Sequence, residues 1–154
     1  MTFSKGETTR RQAITAAALG TLAAGYSPEL RAAEPTAQEK ANMQVVKDFC
    51  EAWPTHDVTK IMSYFADNGA YRPLETMETA KGREAVENEI KRFVNNVGRF
   101  EVLETWARGP MVINQRIDHF KNFQIKAWHG AGVFFLKNGK IVEWFDYTTS
   151  TDPA

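Results

Sequence analysis

Two aspartates and one arginine on two predicted strands have the types and the spacing needed to move a proton. Arg116 and Asp118 are two residues apart, so a β-strand places both side chains on one face. Asp146 follows Val142 and Trp144 at the same spacing on a later strand, behind two apolar neighbours. A buried carboxyl needs a partner that offsets its charge. If both faces line one pocket, the three side chains form a carboxylate–guanidinium–carboxylate cluster.

The charge of this cluster predicts its chemistry. Two ionised aspartates and one arginine leave a net negative charge, and one bound proton makes the cluster neutral, which a low dielectric favours. One carboxyl then stays protonated and the other ionised, coupled through Arg116, so a general acid and a general base are available together. The same spacing equally fits an ion pair on the solvated face of an antiparallel sheet, so both interpretations stay open.

Three helices are predicted before the strands that carry this cluster. Apolar residues at three-and-four spacing predict a first helix from residue 38, which Pro54 ends. A second helix is predicted around residues 58–65, ending at Asp67-Asn68-Gly69, and a third over residues 82–96.

The second half of the chain is predicted to be a sheet. A short strand is expected first, and four longer runs follow it, over residues 70–74, 100–107, 111–120, 124–136 and 140–148. Asn138-Gly139 predicts a tight turn between the last two strands. Helices followed by strands predict an α+β domain in which the helices cover one face of an antiparallel sheet.

Composition excludes several classes of protein. The 154 residues carry 19 Lys+Arg and 19 Asp+Glu, and this neutral balance gives no electrostatic surface for nucleic acid. The single cysteine, Cys50, excludes an internal disulfide framework. The three histidines, His56, His119 and His129, lack HxxxH spacing, so we expect no metal site.

Residues 1–36 are typical of an export signal. Arg10 and Arg11 precede a weakly apolar stretch, residues 13–25, that is too short to span a bilayer. The arginine pair resembles a twin-arginine signal, which implies export to the bacterial periplasm, or a cytoplasmic protein if the signal does not function. The mature domain is then expected over residues 37–154, with no membrane span.

Three segments resemble the limonene-1,2-epoxide hydrolase family. They are Tyr71-Arg72-Pro73, Arg116-Ile117-Asp118 and residues 139–147, and the similarity extends from about residue 38 to 149. The resemblance implies a nuclear transport factor 2-like fold of the polyketide cyclase-like superfamily. That fold is a cone in which three N-terminal helices pack on a curved mixed or antiparallel sheet. A homodimer through the outer sheet face would fit the family.

The resemblance also implies a one-step mechanism for adding water to a small apolar epoxide. Asp146 would be the general base, Tyr71 would hold the water, and Asp118 would donate a proton to the epoxide oxygen. Arg116 would bridge the two acids. Such a reaction needs no metal and no organic cofactor, and no nucleic acid takes part.

One position departs from the family pattern. The family has a Tyr-x-Asn element whose asparagine helps to hold the water, and Pro73 stands there in this chain. We expect Asn114 to substitute, because it shares a face with Arg116 and Asp118. Trp144 and Phe120 are expected to join it in binding the substrate.

Two other functions fit the same residues. An isomerase, cyclase or dehydratase of this fold would use one aspartate as base and Tyr71 as acid, which leaves Arg116 without a task. A non-catalytic module would bind a hydrophobic small molecule, and the loss of the asparagine favours this alternative. These functions can be distinguished by whether the polar side chains converge in one closed pocket. The side chains are those of Tyr71, Arg116, Asp118 and Asp146.

Overall fold

A computed structural model describes residues 34–153, in which helices cover one face of a six-stranded sheet. The helices are α1 (Ala37–Ala52), α2 (Val58–Met62) and α3 (Arg83–Phe93), and a 3-10 turn (Trp53–Thr55) follows α1. The strands are β1 (Phe65–Arg72), β2 (Ala80–Lys81), β3 (Val97–Arg108), β4 (Met111–Phe120), β5 (Ile125–Lys137) and β6 (Lys140–Pro153). The arginine pair of the predicted signal lies outside the described residues. Between residues 34 and 153, no helix combines the length and the apolar character that crossing a bilayer requires.

A reciprocal pair of hydrogen bonds starts helix α1. Thr36 Oγ1 accepts the Glu39 N–H at 3.2 Å, and the Glu39 carboxylate accepts the Thr36 N–H at 2.7 Å. The same carboxylate accepts the Gly109 N–H at 2.7 Å, which ties the helix to the turn between β3 and β4. Pro54 lies in the 3-10 turn, so the helix ends where the sequence predicts.

The sheet is mixed. Its strand order is β2-β1-β6-β5-β4-β3, and all neighbours are antiparallel except β1 and β6, which are parallel. The α+β class is confirmed, and so is the turn between β5 and β6, where Asn138 and Gly139 both have positive φ angles. A purely antiparallel sheet, as the order of elements suggests, is wrong for β1.

The end of the second helix is also wrong in the sequence prediction. Helix α2 ends at Met62, and Asp67-Asn68-Gly69 lies inside β1. The register of β1 against β6 shifts between Phe65 and Ala70, so these residues form an irregularity in a strand. Turn-type residues therefore mark a bulge here, and the strand ends at Arg72 because Pro73 has no N–H for pairing.

The inner face of the sheet carries the core and the polar cluster. On β4 the alternation predicted from sequence is confirmed, since Val112, Arg116 and Asp118 are buried while Gln115 is exposed. Phe49 of α1 packs edge-on against Trp144 of β6 with ring centroids 5.0 Å apart. The helices thus close one part of the concave face and leave a cavity beside it.

Candidate active site

Polar groups from three strands meet in one apolar cavity. The cavity has a volume of about 80 Å³, and its polar wall consists of Tyr71, Asp118 and Asp146. A buried water needs roughly 10–15 Å³ of such space, so the cavity has room for several waters or a small organic ligand. Aromatic side chains form much of the remaining wall, namely Trp53, Phe93, Phe100, Phe120, Phe123 and Trp128.

Arg116 lies behind this wall and joins the two acids. Its Nε donates to Asp118 Oδ1 at 2.8 Å, and its Nη2 donates to Asp118 Oδ2 at 3.2 Å and to Asp146 Oδ1 at 2.9 Å. The predicted carboxylate–guanidinium–carboxylate cluster is therefore present and buried, which excludes the surface ion pair. Both aspartates therefore bind the same guanidinium cation.

Aromatic rings surround the guanidinium. Its Cζ lies 4.9 Å from the ring centroid of Phe100, 5.0 Å from Trp128 and 5.5 Å from Trp144. Such faces attract a cation and also keep water away from it. The residue is only 1% exposed, so the charge of Arg116 is balanced by the neighbouring aspartates rather than by solvent.

Two glycines on β5 make room for this cluster, and sequence reasoning missed them. A Cβ at Gly132 would lie 2.3 Å from Arg116 Nη1, and a Cβ at Gly130 would lie 2.2 Å from the Trp128 ring. Because β5 lies between β4 and β6, side chains from Arg116 and Asp146 can meet only across a strand without side chains at these positions. A Gly-x-Gly pattern inside a predicted strand was the available signal.

Asp146 differs from Asp118 in its hydrogen bonds. Its Oδ1 accepts from Trp144 Nε1 at 2.7 Å as well as from Arg116, whereas its Oδ2 receives no hydrogen bond from residues 34–153. Both oxygens of Asp118 contact the guanidinium. Asp146 therefore has a free oxygen in the cavity wall.

Burial sets the electrostatics of the pair. It raises the pKa of Asp146 from the ordinary value of 3.8 to about 7, although Arg116 acts in the opposite direction. Burial also raises the pKa of Asp118, again against Arg116. Because the two groups share one cation, their titration belongs to the pair, and the raised values favour one bound proton near neutral pH.

Tyr71 reaches the cavity from β1. Its ring stacks on Trp144 at 3.9 Å, which fixes it next to the residue that donates to Asp146. The parallel pairing of β1 with β6 places Tyr71 directly opposite Trp144. Burial raises the pKa of Tyr71, so its hydroxyl stays protonated, and it makes no hydrogen bond to another described residue.

The three residues predicted to bind substrate lie in different places. Phe120 lines the cavity, whereas Trp144 lies behind it and holds Tyr71 and Asp146. Asn114 does not reach the cavity wall, because its amide donates to Cys50 Sγ and accepts from Arg116 Nη1. The prediction that Asn114 replaces the missing water ligand is therefore wrong. Pro73 lines the cavity instead and offers no hydrogen bond.

No group of three or more His, Cys, Asp and Glu side chains arranged to hold a metal ion occurs in the described part of the chain. The two cavity aspartates bind a guanidinium rather than converging on an empty point.

Solved structures share this architecture. An LEH-like epoxide hydrolase from M. tuberculosis superposes with a TM-score of 0.64 at 20% identity, over 72% of this chain and 84% of that one. Bal32a, from a soil-derived mobile gene cassette, gives 0.64 at 16% identity over 73% and 92%. An NTF-2-like protein of unknown function from Burkholderia xenovorans LB400 gives 0.63 at 17% over 77% and 89%. These similarities establish the fold, a nuclear transport factor 2-like arrangement of helices on a curved, open, mixed sheet.

A comparison with protein families agrees with the fold. Residues 46–144 match the SnoaL-like domain. The matched range begins within α1 and ends at Trp144, and it therefore includes Tyr71, Arg116 and Asp118 but stops just before Asp146. The chain belongs to the SnoaL-like domain family.

Proposed function

We propose that the protein is a cofactor-independent hydrolase that adds water to a small apolar epoxide and releases a diol. The observation that carries the proposal is the convergence of Asp118, Asp146 and Tyr71 on one apolar cavity around a buried arginine. A similar fold in a protein described as an LEH-like epoxide hydrolase supports the same activity. The fold also occurs in other enzymes, so the site and not the fold carries the argument.

In the proposed reaction, Asp146 is the general base. A water molecule held by the Tyr71 hydroxyl gives a proton to the free Oδ2 of Asp146 while its oxygen forms a bond to an epoxide carbon. The carbon–oxygen bond of the ring breaks, and Asp118 donates its proton to the oxygen that leaves. Neutral water is a poor nucleophile and the alkoxide a poor leaving group, so each group supplies what the reaction lacks.

Arg116 keeps the pair balanced during this exchange. The cluster begins with the proton on Asp118 and ends with a proton on Asp146, so its net charge does not change. A proton on Asp118 weakens the longer of its two contacts to the guanidinium, the 3.2 Å bond from Nη2, and leaves the shorter one in place. The site returns to its starting state when the proton passes back to Asp118.

The cavity supports a small and largely apolar substrate. Its aromatic walls favour a hydrocarbon body, and Tyr71 and the two aspartates can bind an oxygen atom. Held between them, the water and the epoxide react in a positioned complex rather than by collision.

The test is hydrolysis of an epoxide panel in oxygen-18 water under single-turnover conditions. We expect one labelled oxygen in the diol from the first turnover, because no ester with the enzyme forms. Asp146→Asn should lower kcat by about 100-fold or more. Glu143→Gln, a matched change of an exposed acid on the same strand, should leave the rate unchanged.

Two other results would replace the proposal. Conversion of the panel to isomers of unchanged mass would indicate a same-fold isomerase or cyclase. Tight uptake of apolar compounds with no turnover would indicate a binding module, which the apolar Pro73 at the cavity wall favours.

We also propose a homodimer through the outer face of the sheet. Trp106, Ile113, Val133 and Phe145 are partly or well exposed and lie in register across β3, β4, β5 and β6, which makes one apolar row. Light scattering of Trp106→Glu should give a lower mass than the unchanged protein. Equal monomeric masses for both would refute the dimer.

Export remains a prediction that fractionation can test. If the segment of residues 1–36 is a twin-arginine signal, replacing Arg10 and Arg11 together by lysine should retain the protein in the cytoplasm. Unchanged distribution of the variant would contradict it.

A further inference from the structure

Asn114 contacts Arg116 on the side away from the cavity. Its Oδ1 accepts from Arg116 Nη1 at 3.1 Å, and its Nδ2 donates to Cys50 Sγ at 3.2 Å. The residue is fully buried on the inner face of β4. It therefore contacts the catalytic cluster without contacting the cavity.

The chemistry of its two neighbours fixes the orientation of the amide. A guanidinium has only donors, so the amide atom that faces Arg116 must be the oxygen. The nitrogen then faces Cys50, whose sulfur can accept. Burial raises the pKa of Cys50 to about 12, so this partner remains a neutral thiol.

Arg116 is thus held on three sides. Asp118 and Asp146 occupy Nε and Nη2, and Asn114 occupies Nη1. The backbone of Gly132 closes the remaining space, since a Cβ there would lie 2.8 Å from Asn114 Oδ1. The two aspartates can carry a negative charge, whereas the amide of Asn114 cannot.

We propose that Asn114 is a positioning residue that fixes the Arg116 guanidinium between the two aspartates and, because it is neutral, limits the cluster to one bound proton. A third carboxylate at this position would give three acids on one arginine, and the cluster would bind a second proton. An apolar residue would free Nη1 and allow the guanidinium to turn. The effect on catalysis rests on the proposed function, but the proton count does not.

The test is Asn114→Asp, which keeps the shape of the side chain and adds one acid. Protein labelled with carbon-13 at the aspartate carboxyls is titrated by NMR, with Asp118→Asn and Asp146→Asn used for assignment. We expect the cluster to hold one more proton at pH 7 in Asn114→Asp than in the unchanged protein. Gln115→Glu is the matched control, since it adds an acid to the exposed neighbour on the same strand.

A second variant measures the positioning itself. Asn114→Leu is close in size and lacks the acceptor, and we expect its kcat to fall at least tenfold while KM changes less than twofold. Its NMR titration should also differ from that of the unchanged protein. Equal numbers of bound protons in Asn114→Asp and the unchanged protein, or an unchanged titration in Asn114→Leu, would overturn the proposal. Absence of hydrolysis in the unchanged protein would refute the proposed function alone, because the titrations need no substrate.

Discussion

At the scale of residues, the cavity pairs one acid that has a free oxygen with one that is fully engaged. Asp146 keeps Oδ2 unbound, whereas Asp118 uses both oxygens on Arg116. Burial raises the pKa of both, and the pKa of Asp146 reaches about 7, which is in the range where most enzymes work. The protonation of these two aspartates should therefore determine how activity depends on pH.

We expect kcat/KM to rise with pH through a midpoint of about 7. Below this value Asp146 is protonated and cannot accept a proton from water, and above it the base is free. At still higher pH the rate should fall once the pair has released its remaining proton, because no acid is then left to protonate the epoxide oxygen. Rates measured from pH 5 to 10 check this prediction, and a flat profile between pH 5 and 8 contradicts it.

We expect Tyr71→Phe to separate water binding from packing. The phenyl ring keeps the stack on Trp144 but loses the hydroxyl, so kcat should fall by about 10- to 100-fold. The melting temperature should not fall, because that hydroxyl has no hydrogen bond to another described residue. Kinetics and a thermal melt of the same sample provide the measurement. Loss of both activity and stability would show that the hydroxyl supports the fold.

At the scale of elements, strand β5 determines whether the site can form. Gly130 and Gly132 leave a gap through which side chains of β4 and β6 approach each other. The neighbouring Ala131 points to the outer face and is half-buried. If β5 carried larger side chains at these two inward-facing positions, they would keep Asp118 and Asp146 apart.

We expect Gly132→Ala to abolish activity and to lower the free energy of unfolding by about 1–3 kcal/mol. The added Cβ would lie 2.3 Å from Arg116 Nη1 and 2.7 Å from the Phe134 ring, so the guanidinium must move. Ala131→Ser changes the adjacent outer position and should retain activity. Urea unfolding and a rate assay measure both effects. A fully active Gly132→Ala would show that the cluster tolerates displacement.

Elements with a clear periodicity were predictable from the sequence. Alternation on β4 is regular, so its bounds and the shared face of Arg116 and Asp118 follow from the side-chain pattern. The Asn138-Gly139 turn has backbone angles that few other residues adopt, and it too was predictable.

Other features of the fold and the site depend on contacts between residues far apart in the sequence, which a local sequence pattern cannot predict. The parallel pairing of β1 with β6 joins segments far apart in sequence, and it turns Asp67-Asn68-Gly69 from a helix end into part of a strand. The direction of Asn114 depends on Cys50 from helix α1 and not on its own strand. The missing water ligand at Pro73 is visible in the sequence, but only the fold shows that no amide side chain among residues 34–153 lines the cavity in its place.

At the scale of the whole molecule, the buried acid of the site lowers the stability of the fold as pH rises. Asp146 has a pKa of about 7 when folded and an ordinary value of 3.8 when unfolded. Between these values the folded chain holds a proton that the unfolded chain has released. The free energy of unfolding therefore falls as pH rises from about 4 to about 7, because the native state must bury a charge.

We expect Asp146→Asn to flatten this dependence. The amide can still accept from Trp144 and Arg116, and Arg116 keeps its pair with Asp118. The variant should therefore unfold at higher urea concentration than the unchanged protein at pH 8, with part of the slope left because the pKa of Asp118 is raised as well. Urea titrations at pH 5, 6, 7 and 8 check it. A variant less stable than the unchanged protein at pH 8 would contradict the prediction.

The position of β6 has a consequence for how the molecule is assembled. This strand comes last along the described chain, yet it lies inside the sheet, between β1 and β5. Until it inserts, β1 and β2 have no connection to the other strands, and Tyr71 has no ring to stack on. Such long-range closure is slow compared with the formation of a hairpin. A nascent chain that has not yet emerged through residue 146 lacks Asp146 and cannot assemble the polar cluster, so the proposed activity should appear in a single late step of biosynthesis.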